Sequence, residues 1–133
     1  MADRYFTPDQ VVALIPALNR AMGPVMAAHE EAVAAREELA VEQRRVQMAG
    51  GAVVDQAAWR ATAGRIERLT ARMQAGLEEI VKLGGVPKDL SLGLVDFPHR
   101  RGGKVVNLCW KYGEADIRWW HGLDEGYTGR QPL

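Results

Sequence analysis

The ionisable side chains that could bind a metal ion are concentrated in the last third of the sequence. Asp96, Glu114 and His121 supply two carboxylates and one imidazole. Mn, Fe, Zn and Cu accept these donors, and two carboxylates with one histidine can leave a coordination position open for water or substrate. One interpretation is therefore a divalent transition metal bound by these three side chains.

Three further residues could complete such a site. Asp124 follows His121 closely, whereas His29 and Glu79 lie in the helical part of the chain. His29 falls where an apolar residue is expected, and Gly76 would lie opposite and leave room for a ring or a ligand. Histidine and carboxylate side chains inside a helical bundle can bind metals. The alternative for His29 is a partly exposed ring at the edge of a dimer interface.

The spacing of these residues is not diagnostic, because no established metal motif such as HExxH or paired CxxC is present. The alternative is a structural role. Asp96 would then pair with Arg118 or Arg130. Glu114 would lie in an exposed turn, and His121 would donate a hydrogen bond to a backbone carbonyl.

Aromatic residues near the C-terminus predict either a ligand pocket or a sheet core. The candidate pocket residues are Trp110, Trp119, Trp120 and Arg130. Cys109 is expected to be a small buried hydrophobe, since no histidine would lie beside it to lower its pKa. The C-terminal tail (residues 119–133) is expected to close over the aromatic face of the sheet, with Arg130 as a clasp. Any ligand pocket would lie beneath the tail near His121.

The first part of the chain has the pattern of two long helices. Thr7, Pro8 and Gln10 form a helix start with a capping box. Apolar residues then recur every seven positions, which favours packing against a partner helix as in a coiled coil. They are Leu18, Val25, Ala32, Leu39 and Val46. Pro16 and the Gly-Pro pair at 23–24 predict a kink or a break in this helix.

The first helix is expected to end at Gly50 and Gly51, and Asp55 to cap a second helix over residues 56–83. Such a helical hairpin cannot cover its own apolar seam on both sides. It must pack on the rest of the chain, on a second copy, or on both. A homodimer is therefore expected.

After residue 85 the hydrophobic period changes to about 2, which is typical of strands. Strands are predicted over residues 93–98, 104–110 and 116–121. The predicted register places Val95 and Phe97 beside Leu108 and Val106, and Trp110 and Leu108 beside Ile117 and Trp119. In this register His121 shares a face with Val106, and Asp96 lies on the opposite face. The expected fold is α+β in a single domain: a long antiparallel helical hairpin with a kinked first helix (1–85), then a three-stranded antiparallel β-meander with the tail (86–133) packed on it.

Composition limits the expected partners and location. The charges of the 17 basic and 17 acidic residues cancel. The chain therefore lacks the strong positive field that would attract nucleic acids or anionic membranes. The single cysteine cannot form an internal disulfide. No signal-peptide pattern and no apolar run of about 20 residues is expected. A cytoplasmic protein without nucleic-acid or membrane partners is predicted.

The C-terminal residues also resemble a known family. The stretch GLVDFP, followed by CW, GE, WH and GR, is similar to the pattern of the bacterial and archaeal domain-of-unknown-function family 2203, whose members also open with an FT helix start. The matching residues are Asp96, Phe97, Pro98, Cys109, Trp110, Gly113, Glu114, Trp120, His121, Gly126, Gly129 and Arg130. His99, Trp120 and Tyr127 depart mildly from the residue types expected there. The family has no assigned activity, so the resemblance implies a fold and boundaries but no chemistry.

Two functions of different class follow from the sequence. The first is a dimeric interaction or structural protein, in which a cluster of acidic, arginine, histidine and tryptophan residues stabilises the tail. The alternative is a small metal-binding protein or metalloenzyme that uses Asp96, Glu114 and His121, with water as a further ligand. The sequence names no small-molecule ligand for either function.

Overall fold

The protein folds as two long helices followed by a five-stranded antiparallel sheet, and the computed structural model describes residues 4–50 and 55–133. The helices are α1 (Pro8–Met48) and α2 (Gln56–Lys82). The strands, which follow one another across the sheet in chain order, are β1 (Val86–Asp89), β2 (Leu94–Arg101), β3 (Lys104–Lys111), β4 (Trp119–His121) and β5 (Gln131–Pro132). The α+β class is confirmed, with five strands in place of three.

Both helices begin where their capping side chains predict. The Thr7 hydroxyl accepts from the Gln10 backbone N–H at 3.2 Å, and the Gln10 side chain accepts from the Thr7 N–H at 2.9 Å. In the same way Asp55 accepts from the Ala58 N–H at 3.0 Å. These bonds satisfy backbone donors that have no partner inside a helix. Gly51, the second glycine of the predicted turn, lies outside the described residues.

α1 continues as one helix through Pro16 and Pro24, so the predicted break is wrong. A proline inside a helix removes a backbone hydrogen bond and crowds the preceding turn. Here Ile15, Met22 and Val25 are buried in the core beside the prolines, and their apolar burial offsets that loss. That α1 bends at these prolines without breaking stays a prediction.

The apolar seam of α1 is used within the chain. Leu18, Val25 and Ala32 are fully buried and belong to one core cluster with residues of α2 and the sheet. The two helices approach closely at Gly76, where an added Cβ would collide with the Val25 side chain and lie 2.9 Å from the Ala21 carbonyl oxygen. The space opposite Gly76, which the sequence assigned to His29 or a ligand, is therefore filled by α1 itself.

One part of α1 is apolar enough, by length and composition, to cross a membrane. An 18-residue window has a mean hydropathy of 1.4, whereas the sequence was expected to contain no such run. However, 39% of this window is buried inside the molecule. The core helix of a globular protein passes the same test, so the window is weak evidence for a membrane span.

The sheet packs one face on the helices. In β2 and β3 Val95 lies opposite Trp110, and Phe97 lies opposite Leu108. All four side chains are fully buried. The predicted β2–β3 register differed by two residues, which leaves the same side chains on the core face because strand side chains alternate with a period of 2.

The register between β3 and β4 differs from the prediction by one residue. Leu108 lies opposite Trp120 and Asn107 opposite His121, whereas the prediction placed Leu108 beside Trp119. A slip of one residue moves every side chain of a strand to the other face. Trp120 therefore faces the core, and His121 faces away from the helices together with Asn107.

Two short strands were absent from the predicted meander. β1 pairs with β2 through Val86 opposite Asp96, with an irregularity between Pro87 and Asp89. β5 lies beside β4, and Gln131 pairs with Trp120. The C-terminal tail therefore returns to the sheet and extends its edge.

Candidate metal site

The sheet brings Asp96, Cys109 and His121 together on the face away from the helices. Asp96 of β2 lies directly opposite Cys109 of β3, and His121 comes from β4, the next strand. Their exposed fractions are only 2%, 1% and 2%. One donor atom from each residue lies within 4.8 Å of the other two. Because metal–ligand bonds are about 2.0–2.3 Å long, three donor atoms this close together are a candidate ligand set for one ion.

A backbone carbonyl orients the His121 ring. Nδ1 lies 2.8 Å from the Gly122 oxygen, and Nε2 lies 3.0 Å from Asp96 Oδ1. Since a carbonyl oxygen only accepts, Nδ1 carries a hydrogen and donates it. Nε2 is then the nitrogen directed at Asp96. Metal-binding histidines are usually oriented in this way, with the second ring nitrogen donating to a carbonyl or a carboxylate.

The 3.0 Å contact between His121 Nε2 and Asp96 Oδ1 has the length of a hydrogen bond. With Nδ1 protonated, a neutral Nε2 and an ionised carboxylate would face each other as two acceptors. A hydrogen bond between Nε2 and Oδ1 therefore needs a proton on one of these two atoms. A metal ion bound at Nε2 would take the place of that proton.

Glu114 does not join Asp96 and His121. Its Oε1 accepts from Arg130 at 2.6 Å and from the Lys111 backbone N–H at 2.6 Å. Arg130 also donates to the Cys109 carbonyl oxygen at 3.0 Å. Arg130 is thus a clasp of the tail, as predicted, but its carboxylate partner is Glu114 and not Asp96, which pairs with His121.

Two features around Cys109, its burial and the charge of Arg130, have opposite effects on the pKa of its thiol. Burial raises the pKa of the Cys109 thiol, while the nearby Arg130 guanidinium acts in the other direction without cancelling the increase. For Arg130, burial alone would lower the pKa, but its interactions with Glu114 and Cys109 raise it. Cys109 is therefore a neutral thiol at neutral pH, beside a permanent cation that would stabilise a thiolate.

A cavity of about 100 Å³ borders all three donor residues beneath the tail. Its other walls include Asn107, Leu123, Glu125 and Tyr127. This volume exceeds the roughly 30 Å³ that one water molecule occupies in the liquid. The site therefore has room for water or a small ligand, at the position near His121 that the sequence predicted. The tail covers the polar face of the sheet, however, and not its aromatic face.

The remaining predicted ligands lie elsewhere. Asp124 is exposed and is not part of the group of three donors. His29 is half-buried and lines a separate surface pocket with Glu30 and Leu90. Glu79 is exposed and pairs with Lys82 at 3.4 Å, so the predicted pair of His29 and Glu79 is not formed.

The four aromatic-pocket candidates are divided between the two faces of the sheet. Trp110 is fully buried in the core, and Trp120 packs against that core. Arg130 lies on the other side, with its guanidinium carbon 5.5 Å from the Trp119 ring centroid and 4.8 Å from that of Tyr127. These cation–π contacts hold the tail and do not form one aromatic pocket.

Cys109 is buried, as the sequence analysis expected, but the expectation that no histidine would lie beside it is wrong, because its sulfur lies within 4.8 Å of a ring nitrogen of His121. A signal for the position of Cys109 was present in the two glycines of the β2–β3 link. Gly102 and Gly103 both have positive φ, 56° and 78°, as a two-residue hairpin turn requires. Counting outward from that turn places Cys109 opposite Asp96.

A helical hairpin, a five-stranded antiparallel meander and a buried group of metal-ligand type beneath the tail define a small α+β protein with a candidate metal site. The chain belongs to the domain-of-unknown-function family 2203, described as an uncharacterized conserved protein, whose model matches residues 4–133. The family resemblance read from the C-terminal motifs is thereby confirmed. No curated protein and no solved structure matches the chain.

Proposed function

We propose that the protein binds one divalent transition metal ion through Asp96, Cys109 and His121. The observation that carries this proposal is the convergence of three buried donor atoms within 4.8 Å. Zn²⁺ binds this combination of oxygen, sulfur and nitrogen ligands in tetrahedral sites. The proposal keeps the metal-binding interpretation of the sequence but replaces Glu114 by Cys109.

The charges of the ligands support a divalent cation. An ionised Asp96 and a Cys109 thiolate would together balance the charge of the ion, and His121 would bind as a neutral ring. This balance matters because an uncompensated charge is strongly disfavoured in a buried site. The sulfur ligand favours Zn, Fe or Cu over Mn, which prefers oxygen ligands.

The orientation of His121 supports the same function. Its Nδ1–H is already directed at the Gly122 carbonyl oxygen, so Nε2 needs no change of tautomer to bind a metal. Arg130 donates to the Cys109 carbonyl oxygen, and its charge acts to lower the pKa of the Cys109 thiol, so it would stabilise the thiolate that a metal requires. Ligands that are pre-oriented in this way lose little conformational freedom on binding.

Elemental mass spectrometry of untagged protein, purified without chelators, tests this function. We expect close to one Zn, Fe or Cu ion per chain in the wild type, and loss of that ion in Cys109→Ala and His121→Ala. Asp124→Asn is the matched control, because it changes an exposed nearby acid outside the donor group and should retain the metal. Far-UV circular dichroism establishes that each variant is folded. Equal metal content in the wild type and Cys109→Ala would contradict the proposal.

We further propose that the protein forms a homodimer through the helical hairpin. Val33, Val41 and Val81 are 52%, 50% and 61% exposed on the two helices, although the main seam is used within the chain. The net charge of zero means that two copies do not repel each other strongly. Light scattering coupled to size exclusion should give twice the chain mass, and Val81→Lys should reduce it. A monomer at every concentration would contradict a dimeric interaction role.

A further inference from the structure

We propose that the bound metal keeps a fourth coordination position that opens into the cavity of about 100 Å³ and takes an exchangeable small ligand with an anionic oxygen donor. This inference rests on the proposed metal site. Structural zinc sites use four protein ligands, whereas catalytic sites use three and leave one position for water or substrate. We expect a site of the catalytic type here, with three protein ligands and one position for water or substrate.

The number of available protein ligands is the first support for this inference. In residues 4–50 and 55–133, no fourth histidine, cysteine or acidic side chain joins Asp96, Cys109 and His121 within the 4.8 Å group. A tetrahedral ion bound there has one position left. With Asp96 bound through one oxygen, that position is available to a ligand from solution.

Two acidic side chains close to the site, Glu114 and Glu125, already have partners. Glu114 is held by Arg130 at 2.6 Å. Glu125, which lines the cavity, accepts from the Gly122 backbone N–H at 3.1 Å. It also packs against Gly129, where an added Cβ would lie 2.7 Å from Glu125 Oε2. Neither carboxylate needs the metal in order to be satisfied.

The position of the cavity is the second support. Asp96, Cys109 and His121 all contribute to its walls, so the open side of the ion would face this space. At about 30 Å³ per water, the cavity has room for about three waters or a ligand of similar size. The open position is therefore accessible to a small molecule and is not filled by protein atoms.

The charge of the cavity indicates the class of ligand. The ion and its two anionic ligands would be neutral together, so an added anion needs a positive partner. The exposed Lys88 lines the same cavity and would supply that charge, whereas the Glu125 carboxylate in the same walls is held by the Gly122 backbone N–H. Asn107 adds an amide that can donate to an oxygen. A small carboxylate or hydroxamate, bound to the metal through oxygen, matches these walls.

Substitution with Co²⁺ tests this inference, because the visible absorption of Co²⁺ reports changes in its ligands. Chelator-treated protein is loaded with Co²⁺ and titrated with acetohydroxamate. We expect a saturable change in the visible spectrum of the wild type. Lys88→Ala should weaken acetohydroxamate binding by about two- to fivefold, the range for one solvent-exposed charge pair. Lys104→Ala, an exposed lysine at the start of β3, should not change it.

The outcomes separate this inference from the metal site itself. If Co²⁺ does not bind, both proposals are overturned. If Co²⁺ binds and its spectrum does not respond to acetohydroxamate, the metal site stands and the open position is refuted. An equal response in the wild type and Lys88→Ala would refute the anionic ligand class. The saturable response, weakened only by Lys88→Ala, would support the inference.

Discussion

His121 Nε2 lies 3.0 Å from Asp96 Oδ1, and each side chain is only 3% exposed. The two residues belong to β4 and β2, strands that are separated by β3. Their contact therefore depends on the register of two strand pairs, β2 with β3 and β3 with β4. Cys109 belongs to β3, which lies between the strands that carry the other two donors. Removing either partner leaves a buried polar group without its hydrogen bond.

The first prediction is that His121→Ala strongly destabilises the metal-free protein. Breaking a buried pair costs about 3–5 kcal/mol, because the remaining group keeps its desolvation penalty. Glu37→Ala, which removes an exposed ion pair with Arg44 at 3.5 Å, should cost less than about 1 kcal/mol. Urea unfolding measures both free energies. A similar small loss for the two variants would mean that the buried pair does not stabilise the fold.

The second prediction concerns the pH dependence of metal affinity. Burial raises the pKa of the Cys109 thiol, and Arg130 counters this only in part, so the thiol is protonated at neutral pH and must lose its proton to bind. A lower pH then weakens binding, by about tenfold per pH unit for each proton released. Competition titrations with Zn²⁺ from about pH 6 to 8 should show this slope. A pH-independent affinity would exclude a thiolate ligand.

The third prediction concerns the clasp between Arg130 and Glu114. Their side chains are mostly buried, and the pair also ties the tail to the Cys109 carbonyl oxygen. In a double-mutant cycle of Arg130→Ala and Glu114→Ala, we expect a coupling free energy of about 1–3 kcal/mol. Thermal or urea unfolding of the four proteins gives this value. Additive losses, within about 0.5 kcal/mol, would show that the tail does not depend on this pair.

The fourth prediction compares two glycines of α2. A Cβ at Gly76 would collide with Val25, whereas at Gly64 its nearest neighbour would be the flexible end of Arg68 at 3.4 Å. Gly76→Ala should therefore destabilise the protein by about 1–3 kcal/mol, since α1 and α2 must separate. Gly64→Ala should be neutral or stabilising by up to about 1 kcal/mol, because alanine favours a helix. Stabilisation by Gly76→Ala would contradict the close helix crossing.

The helices could be predicted from the sequence because their limits depend on neighbouring residues. Thr7 and Gln10 form one capping box, and Asp55 caps the second helix. These bonds span three positions, so they can be recognised without the rest of the fold. The continuity of α1 through Pro16 could not be recognised in this way. It depends on burial against residues far along the chain.

The metal site could be predicted only in part, because it depends on the register of the strands. Asp96 and His121 were chosen for their chemistry, but the predicted register put them on opposite faces of the sheet. The observed pairing of Asn107 with His121 brings His121 to the face that carries Asp96, and the pairing of Asp96 with Cys109 adds the thiol. β1 and β5 are short, and each contains a proline, so neither had a strand pattern that periodicity could detect.

X-ray absorption spectroscopy at the metal edge tests the central claim most directly, because it measures the ligands of the bound ion. For Zn²⁺-loaded protein we predict one sulfur at about 2.3 Å and the remaining nitrogen and oxygen ligands at about 2.0–2.2 Å. In Cys109→Ala the sulfur contribution should be absent. A zinc environment of nitrogen and oxygen alone in the wild type would contradict binding by Asp96, Cys109 and His121.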